Sequence, residues 1–462
     1  MKHTLRGVLA AVLTAAILAA ATVPAFAQNA VDYTLVSPYD SVDWGEWDYY
    51  KANLHTHSTY SDGEFTLPDM VEKYYALGYD ILAMTDHGVI NPGWTEDRQT
   101  YPPFDWVNHV EGHEFSYIYH TEAKMTQEDY ERITTGSDRG GRGMVDVTGG
   151  IEMNMAVISK THVNAYFTEF GSGRWGTEND YAGAVEGVEK SGKGYTVLNH
   201  VGDWLKSHNH PERAHDPVNI AYFADIMVKN PSCLGMEIIN NTDRVTRSDR
   251  ALWDELLSVV IPTGRTVLAF ADDDSEVESD IGNSYEMFVL PENNLDNVRD
   301  AMVNGNFFCC SRFDNTDANA RTEGEKGGAV PLVSDIVWND IENTITLTFA
   351  PDAPCDKVTW VSGGADILVQ TDPGTSVTID LNDYDGRLGN YIRFKLNNKN
   401  GVTYSQAMEL RYEGRPEPEI PGDAIAKYQT FFGKIIMRLY QTRAWAIFNL
   451  IKEKIWEKTN GN

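Results

Sequence analysis

Asn53-Leu54-His55-Thr56-His57, Ser61-Asp62-Gly63 and Met84-Thr85-Asp86-His87 are the stretches whose reading decides this chain. Each lies at or just past the end of a short apolar run. Side chains of an extended strand repeat every two residues, so His55 and His57 point to one face. Two imidazoles on one face, with carboxylates near, are how a chain holds a divalent transition metal for hydrolytic chemistry.

An HxH alone is a weak signal, because 12 histidines in 462 residues produce about 0.3 of them by chance. The second one, His208-Asn209-His210, sits in the polar run 206–215 with no strand before it and reads as a solvated loop. The first differs because the chain downstream keeps supplying ligand types at strand ends. Gly149-Gly150-Ile151-Glu152 puts a carboxylate after a glycine turn, with His162 ten residues on. Tyr195-Thr196-Val197-Leu198-Asn199-His200 is an apolar run ending on a histidine, and Thr266–Ala271 leads into Asp272-Asp273-Asp274-Ser275-Glu276. Helical patterns over Leu67–Leu77, Asn179–Ser191, Ile220–Asn230 and Asp249–Val260 separate these strands. Strand–helix alternation predicts an α/β fold with a parallel sheet. Ligand types gathered at C-terminal strand ends predict a barrel-like enzyme.

From about Lys51 to Arg312 the chain resembles the polymerase and histidinol phosphatase (PHP) family. The motifs that carry the resemblance are HTHSTYSDG, TDHG, GIE with a distant histidine, and NH after a strand. The stretch Gly264–Glu276, the helix Leu295–Asn304 and Gly305-Asn306-Phe307-Phe308 complete it. The resemblance implies a distorted (β/α)7 barrel holding two or three divalent ions, with Zn, Mn or Fe as candidates. It places His55, His57, Glu152 and Asp274 at one metal, and Asp62 and His87 at a second. Glu152, as a bridge, joins His162 and His200 at a third. His87, Glu152 and Asp274 are the residues it implies for catalysis.

One position departs from the family pattern. Its last motif reads Asp-x-His, and Glu276 stands where that histidine is expected. A glutamate is a harder ligand and would favour Mn or Fe over Zn there. The run of three aspartates leaves the register open, with Asp272 and Asp274 as the competing pair. Gly112-His113-Glu114, with His120, rivals Glu152 for the bridge; Glu152 is preferred because it follows a strand start and has His162 at the family's spacing. Glu237, in Gly235–Asn240, reads as serving the sheet, and Asn240 as facing the site. Arg244 and Arg247 are the candidates for clamping a phosphate, with exposed surface arginines as the plain alternative.

The remainder of the chain supplies context. Residues 1–27 carry a basic start, an apolar stretch Gly7–Ala21 and Ala25-Phe26-Ala27, the pattern of a secretory signal peptide, which implies a secreted protein. Cys233, Cys309, Cys310 and Cys355 are too few for a disulfide scaffold, and no CxxC offers a zinc clip. A net charge of −30 argues against the nucleic-acid backbone as a stable partner.

The catalytic region is expected over residues 48–312, followed by a Gly/Asp/Glu-rich linker, Asn315–Gly328. Six or so short alternating strands within 330–413 predict a small β-sandwich. A Pro-rich linker, 414–423, leads to a tail, 424–462, that reads as an amphipathic helix. From 425 to 458 the tail carries seven Lys/Arg against two Glu, with interleaved aromatics. That pattern predicts peripheral contact with a membrane or cell surface, the alternative being a helix folded back on the catalytic domain.

The function these readings predict is a secreted metal-dependent phosphoesterase acting on a small phosphorylated substrate: an organic monophosphate, a nucleotide or a diester. The alternatives are an amide or ester hydrolase on the same barrel, or a non-catalytic metal-binding surface protein, which Glu276 alone favours.

Overall fold

The computed structural model describes residues 31–98, 124–153, 161–171, 181–317 and 320–414. The signal-peptide pattern, Glu114 with its neighbouring histidines, and the basic tail lie outside the described residues.

After β1 (Tyr33–Val36), β2 (Asp48–Asn53) runs straight into the HxH segment. Helix α1 (Leu67–Ala76) starts where Thr66 accepts the Asp69 N–H and Pro68 fits the first turn. It buries Leu67, Met70, Val71, Tyr74 and Tyr75, a helical stripe. There follow β3 (Ile81–Leu82), α2 (Gln127–Thr135), β4 (Val145–Asp146), β5 (Ile151–Met153) and β6 (Val163–Tyr166). Helix α3 (Tyr181–Ser191), β7 (Tyr195–Leu198), the short α4 (Val201–Leu205), α5 (Pro217–Lys229), β8 (Cys233–Asn240), α6 (Asp249–Val260) and β9 (Leu268–Asp272) continue the alternation. Helix α5 begins at Pro217 rather than Ile220, because Asp216 caps it through the Val218 N–H.

Strands β10 (Ser284–Leu290) and β11 (Phe307–Ser311), with α7 (Leu295–Asn304) between them, close this part of the chain. The segment that reads as a linker contains a hairpin, β12 (Phe313–Asp317) with β13 (Ala320–Glu323). Beyond it come β14 (Val333–Asn339), β15 (Thr344–Phe349), β16 (Lys357–Ser362), β17 (Asp366–Thr371) and β18 (Ser376–Asp380). The last strands are β19 (Tyr391–Asn398), β20 (Gly401–Tyr404) and β21 (Met408–Tyr412).

Two sheets frame the ligand-bearing residues. One has the order β5-β6-β7-β8-β9. The other, of eleven strands, runs β1-β21-β19-β20-β11-β10-β2-β3-β4, with β16 and β17 built onto β19. The pairing of β11 with β20, Cys309 opposite Tyr404, makes strands on either side of the expected domain boundary one continuous sheet. β14, β15 and β18 form a separate three-stranded sheet.

The ladders of the two main sheets do not close into a barrel among the described residues. They are joined only by isolated bridges, Thr56 to Ser275, His87 to Glu152 and Asn91 to Gly150. The physical reason lies in β3 and β5, which are two and three residues long. Past the end of β3 the chain turns, so that His87 meets Glu152 of β5 and Asn91 meets Gly150 through two isolated bridges where a ladder would run. The apolar core fills the space between the five-stranded sheet and helices α3, α5 and α6. Phe223, Trp253 and Phe270 are among its fully buried members.

Candidate metal centre

His55 and His57 follow the end of β2, where a backbone bridge between Thr56 and Ser275 and the His57 N–H to Ser275 carbonyl bond keep the chain extended. Both imidazoles therefore face inward, with their Nε2 atoms 3.1 Å apart. The Ser58–Gly63 turn folds back so tightly that a Cβ at Gly63 would lie 2.6 Å from the His57 carbonyl oxygen, which reserves the position for glycine. That turn delivers Asp62, whose Oδ1 is 3.3 Å from His57 Nδ1 and Oδ2 3.3 Å from His87 Nε2.

Glu152 stands at the centre. Its Oε2 lies 3.2 Å from His55 Nε2, 3.2 Å from His57 Nε2 and 3.1 Å from His87 Nδ1. Its Oε1 lies 3.1 Å from His162 Nδ1 and 3.4 Å from His200 Nε2, and accepts a 2.8 Å hydrogen bond from Asn199. Asp274 Oδ1 is 3.0 Å from His55 Nε2 and 3.1 Å from His57 Nε2. Three groups of donor atoms converge in this way: His55, His57, Glu152 and Asp274; His57, Asp62 and His87; His87, Glu152 and His162. His200 joins through Glu152 and, at 4.0 Å, Asp274.

The donor set fits a divalent cation on two observations. First, separations of 3.0–3.2 Å among the first group approach the ~3.3 Å edge of a tetrahedron with ligands about 2.0 Å from its centre. Second, among the described residues Glu152 Oε2 and Asp62 Oδ1 are buried without a hydrogen bond despite these neighbours. Buried carboxylate oxygens are nearly always hydrogen-bonded or ligating.

The electrostatics agree. Burial opposes ionisation of Glu152, yet His55, His87 and His162 outweigh it and hold the carboxyl well below its usual range. Asp62 is also lowered, with burial opposing and His87 and His57 prevailing. Burial likewise works against a charged His55, but Asp274, Glu152 and Glu237 raise it well above the ordinary imidazole value. A substrate would meet the open members of the cluster, the side chains of Asp274 and His162, which are 21% and 18% exposed.

The three consecutive aspartates part company. Asp272 turns inward, where its Oδ1 accepts the Leu54 N–H at 2.5 Å. Burial, with the nearby Glu237 charge, pushes its carboxyl up to about 8. Asp273 accepts the N–H groups of Gly282, Asn283 and Ser284 at 2.6–2.8 Å and so holds the turn into β10. Asp274, at a positive φ of 45°, alone swings into the cluster. Glu276 is exposed and belongs to none of the three groups, although burial of its carboxyl and the charges of Asp62 and Asp274 push it up to about 7.

Arg244 and Arg247 are exposed on the loop after β8, and among the described residues no hydrogen bond or ion pair of either side chain joins it to the cluster. His208, half-buried, and His210, exposed, follow α4, and their alternation brings them to no ligand group among the described residues. Sequence reasoning missed two residues. Glu237 contacts His55 Nδ1 at 2.6 Å rather than merely serving the sheet. Arg98 is buried over the Tyr60 ring and ion-paired with Asp86, the neighbour of His87, while its Nε and Nη2 have no hydrogen-bond partner among the described residues. Only the position of Arg98 eleven residues past a TDH motif hinted at it.

Comparison with known proteins places this arrangement. Residues 53–216 match the family model of the PHP domain, and the resemblance to that family is shown over this region. A 48-residue stretch is 44% identical to the DNA polymerase/3'-5' exonuclease PolX of Bacillus subtilis (strain 168), covering 10% of this chain and 8% of that protein's length. A solved two-domain protein from Bacteroides vulgatus ATCC 8482, containing a predicted PHP-like metal-dependent phosphoesterase, is 15% identical with a TM-score of 0.39. The match covers 79% of this chain and 96% of that one.

Proposed function

We propose that this chain is a metal-dependent phosphoesterase that hydrolyses a small organic monophosphate, a nucleotide or a diester. The observation that carries the reading is the convergence of three His/Asp/Glu groups, two of which share the fully buried Glu152 while the third joins them through His57 and His87. Divalent ions held by these groups would lower the pKa of water to about 7 and supply hydroxide at neutral pH. The chain's own residues do the rest. Glu152 Oε2 faces His55, His57 and His87 and its Oε1 faces His162 and His200, so that both oxygens are committed, while Asp274 meets His55 and His57 and Asp62 meets His57 and His87.

We read the seven strands β2, β3 and β5–β9, stitched by the bridges at the ligand end, as the distorted barrel of this family. Secretion through residues 1–27 and surface contact through 424–462 belong to the same proposal and rest on their sequence patterns.

The test is a panel of phosphomonoesters, phosphodiesters, amides and esters offered to protein loaded with Mn, Fe or Zn. Phosphate release that depends on metal supports the reading. Turnover confined to amides or esters overturns it in favour of another hydrolase, and no turnover by fully loaded protein overturns it outright.

A further inference from the structure

We propose that Glu237 is the positioning residue that fixes the His55 imidazole for metal binding; this rests on the metal reading of the site above. Glu237 lies on β8, every residue of which is buried. Alternation along a strand would put Glu237 and Asn240 on opposite faces. A bulge in the β8–β9 ladder between Glu237 and Ile239 changes that, and both side chains turn to the site.

The contacts of Glu237 are two-sided. Oε1 is 2.6 Å from His55 Nδ1. Oε2 accepts the His200 N–H at 2.7 Å and the Asn240 amide at 3.2 Å, and Asn240 also donates to Asp274 Oδ2 at 3.0 Å. One carboxylate therefore ties the segments that present His55, His200 and Asp274. A proton held on His55 Nδ1 by Glu237 leaves Nε2 bare, and Nε2 is the atom 3.0–3.2 Å from Asp274, Glu152 and His57. A carboxylate behind a ligating histidine fixes its tautomer and ring plane and raises its basicity.

Glutamine cannot replace both halves. Its amide nitrogen would face either the His55 N–H or the His200 N–H, donor against donor.

The experiment measures zinc affinity by chelator competition, together with the visible spectrum of the cobalt-loaded protein, for wild type, Glu237→Gln and Glu237→Asp. Asp254→Asn is the control, a buried acid bonded to Arg393 and Tyr391 away from the site. Glu237→Gln should bind zinc about ten- to a hundredfold more weakly and shift the cobalt bands. Glu237→Asp keeps the carboxylate but withdraws it by one methylene, and should show a smaller loss. Asp254→Asn should melt earlier with zinc affinity unchanged within about twofold.

Unchanged affinity and spectrum in a folded Glu237 variant overturn the proposal. So does an equal loss in Asp254→Asn, which would mean that affinity merely follows stability. Wild-type protein that takes up no zinc overturns both this role and the metal reading. Zinc results as expected, with no turnover of any phosphoester, sink the phosphoesterase reading alone.

Discussion

Where β19 packs on α6, Asp254 takes a two-point ion pair from Arg393, 2.7 and 2.6 Å, and a 2.7 Å hydrogen bond from Tyr391. Close by, Gln406 both donates to and accepts from the backbone of Ala269, and Arg250 is held by Asp243 and the Ile238 carbonyl. At the other end, Glu152, Asp62 and four histidines crowd together with carboxylate oxygens left unbonded. Both regions bury charge, and desolvation alone would disfavour both. The seam answers that cost with its own hydrogen bonds, whereas the ligand end gathers a set of donor atoms that could hold a cation.

The sharpest way to break this contrast is to remove one residue from each end. His57→Ala is expected to bring bound metal and phosphoester hydrolysis down together, to background, while the metal-free protein melts within a few degrees of wild type. Elemental analysis of the loaded variant and a thermal melt read the two effects separately. Full metal content in this variant would dissolve the distinction.

The mirror-image substitution is Arg393→Met, which strands the buried Asp254 carboxylate. Breaking a buried pair from one side costs about 3–5 kcal/mol. Denaturant unfolding should show a loss of that size, with metal content of the folded fraction unchanged. A loss of metal without a loss of stability would reverse the assignment of the two ends.

The ligand end was far more legible from sequence than the seam, for a physical reason. His55, His57, His87, His200 and Asp274 stand just beyond apolar runs and Glu152 follows a glycine turn, so local pattern announces them and the fold only has to gather the segments that carry them. The pairing of Cys309 with Tyr404 joins positions nearly a hundred residues apart and leaves no local trace. Glu237 reads as a sheet residue because it lies within a buried apolar run, and the bulge in the β8–β9 ladder that turns it to the site leaves no local trace. The linker reading of Asn315–Gly328 failed in part because composition cannot separate a loop from a short polar hairpin such as β12–β13.

Asp146 sharpens the contrast from a third place, since it is buried and not part of any ligand group. Its Oδ2 accepts the Trp94 N–H at 2.8 Å while Oδ1 has no hydrogen bond. Burial pushes its carboxyl from 3.8 up to about 7, against the pull of Trp94, Arg98 and Asn91. A pKa raised by folding adds stability that is fully present below about pH 4 and lost as pH rises through about 7. Asn cannot ionise, so Asp146→Asn should gain on wild type between pH 5 and pH 8. The gain in melting temperature should be a few degrees. A difference between the two proteins that does not change with pH would mean that a partner stabilises the Asp146 charge.

The smallest expected effect is at Glu276, and it tests whether position in a motif or position in space decides ligation. Sequence puts Glu276 where the family pattern has a histidine, with Asp272 as its rival. The structure turns Asp272 to Leu54 and leaves Glu276 exposed beside the cluster, so neither joins the donor groups that Asp274 enters. Its carboxyl still senses Asp62 and Asp274, which makes it a charge at the edge of the site. Glu276→Gln should therefore leave metal content unchanged and alter metal affinity by less than threefold, about 0.6 kcal/mol. Glu276→His restores the motif's letter, and its zinc preference is the discriminating measurement. If the backbone turn at Asp274 keeps position 276 outside the cluster, the histidine will not shift preference towards zinc. A marked shift, or the loss of one metal in Glu276→Gln, would show that the segment after Asp274 closes onto the site when metal is bound.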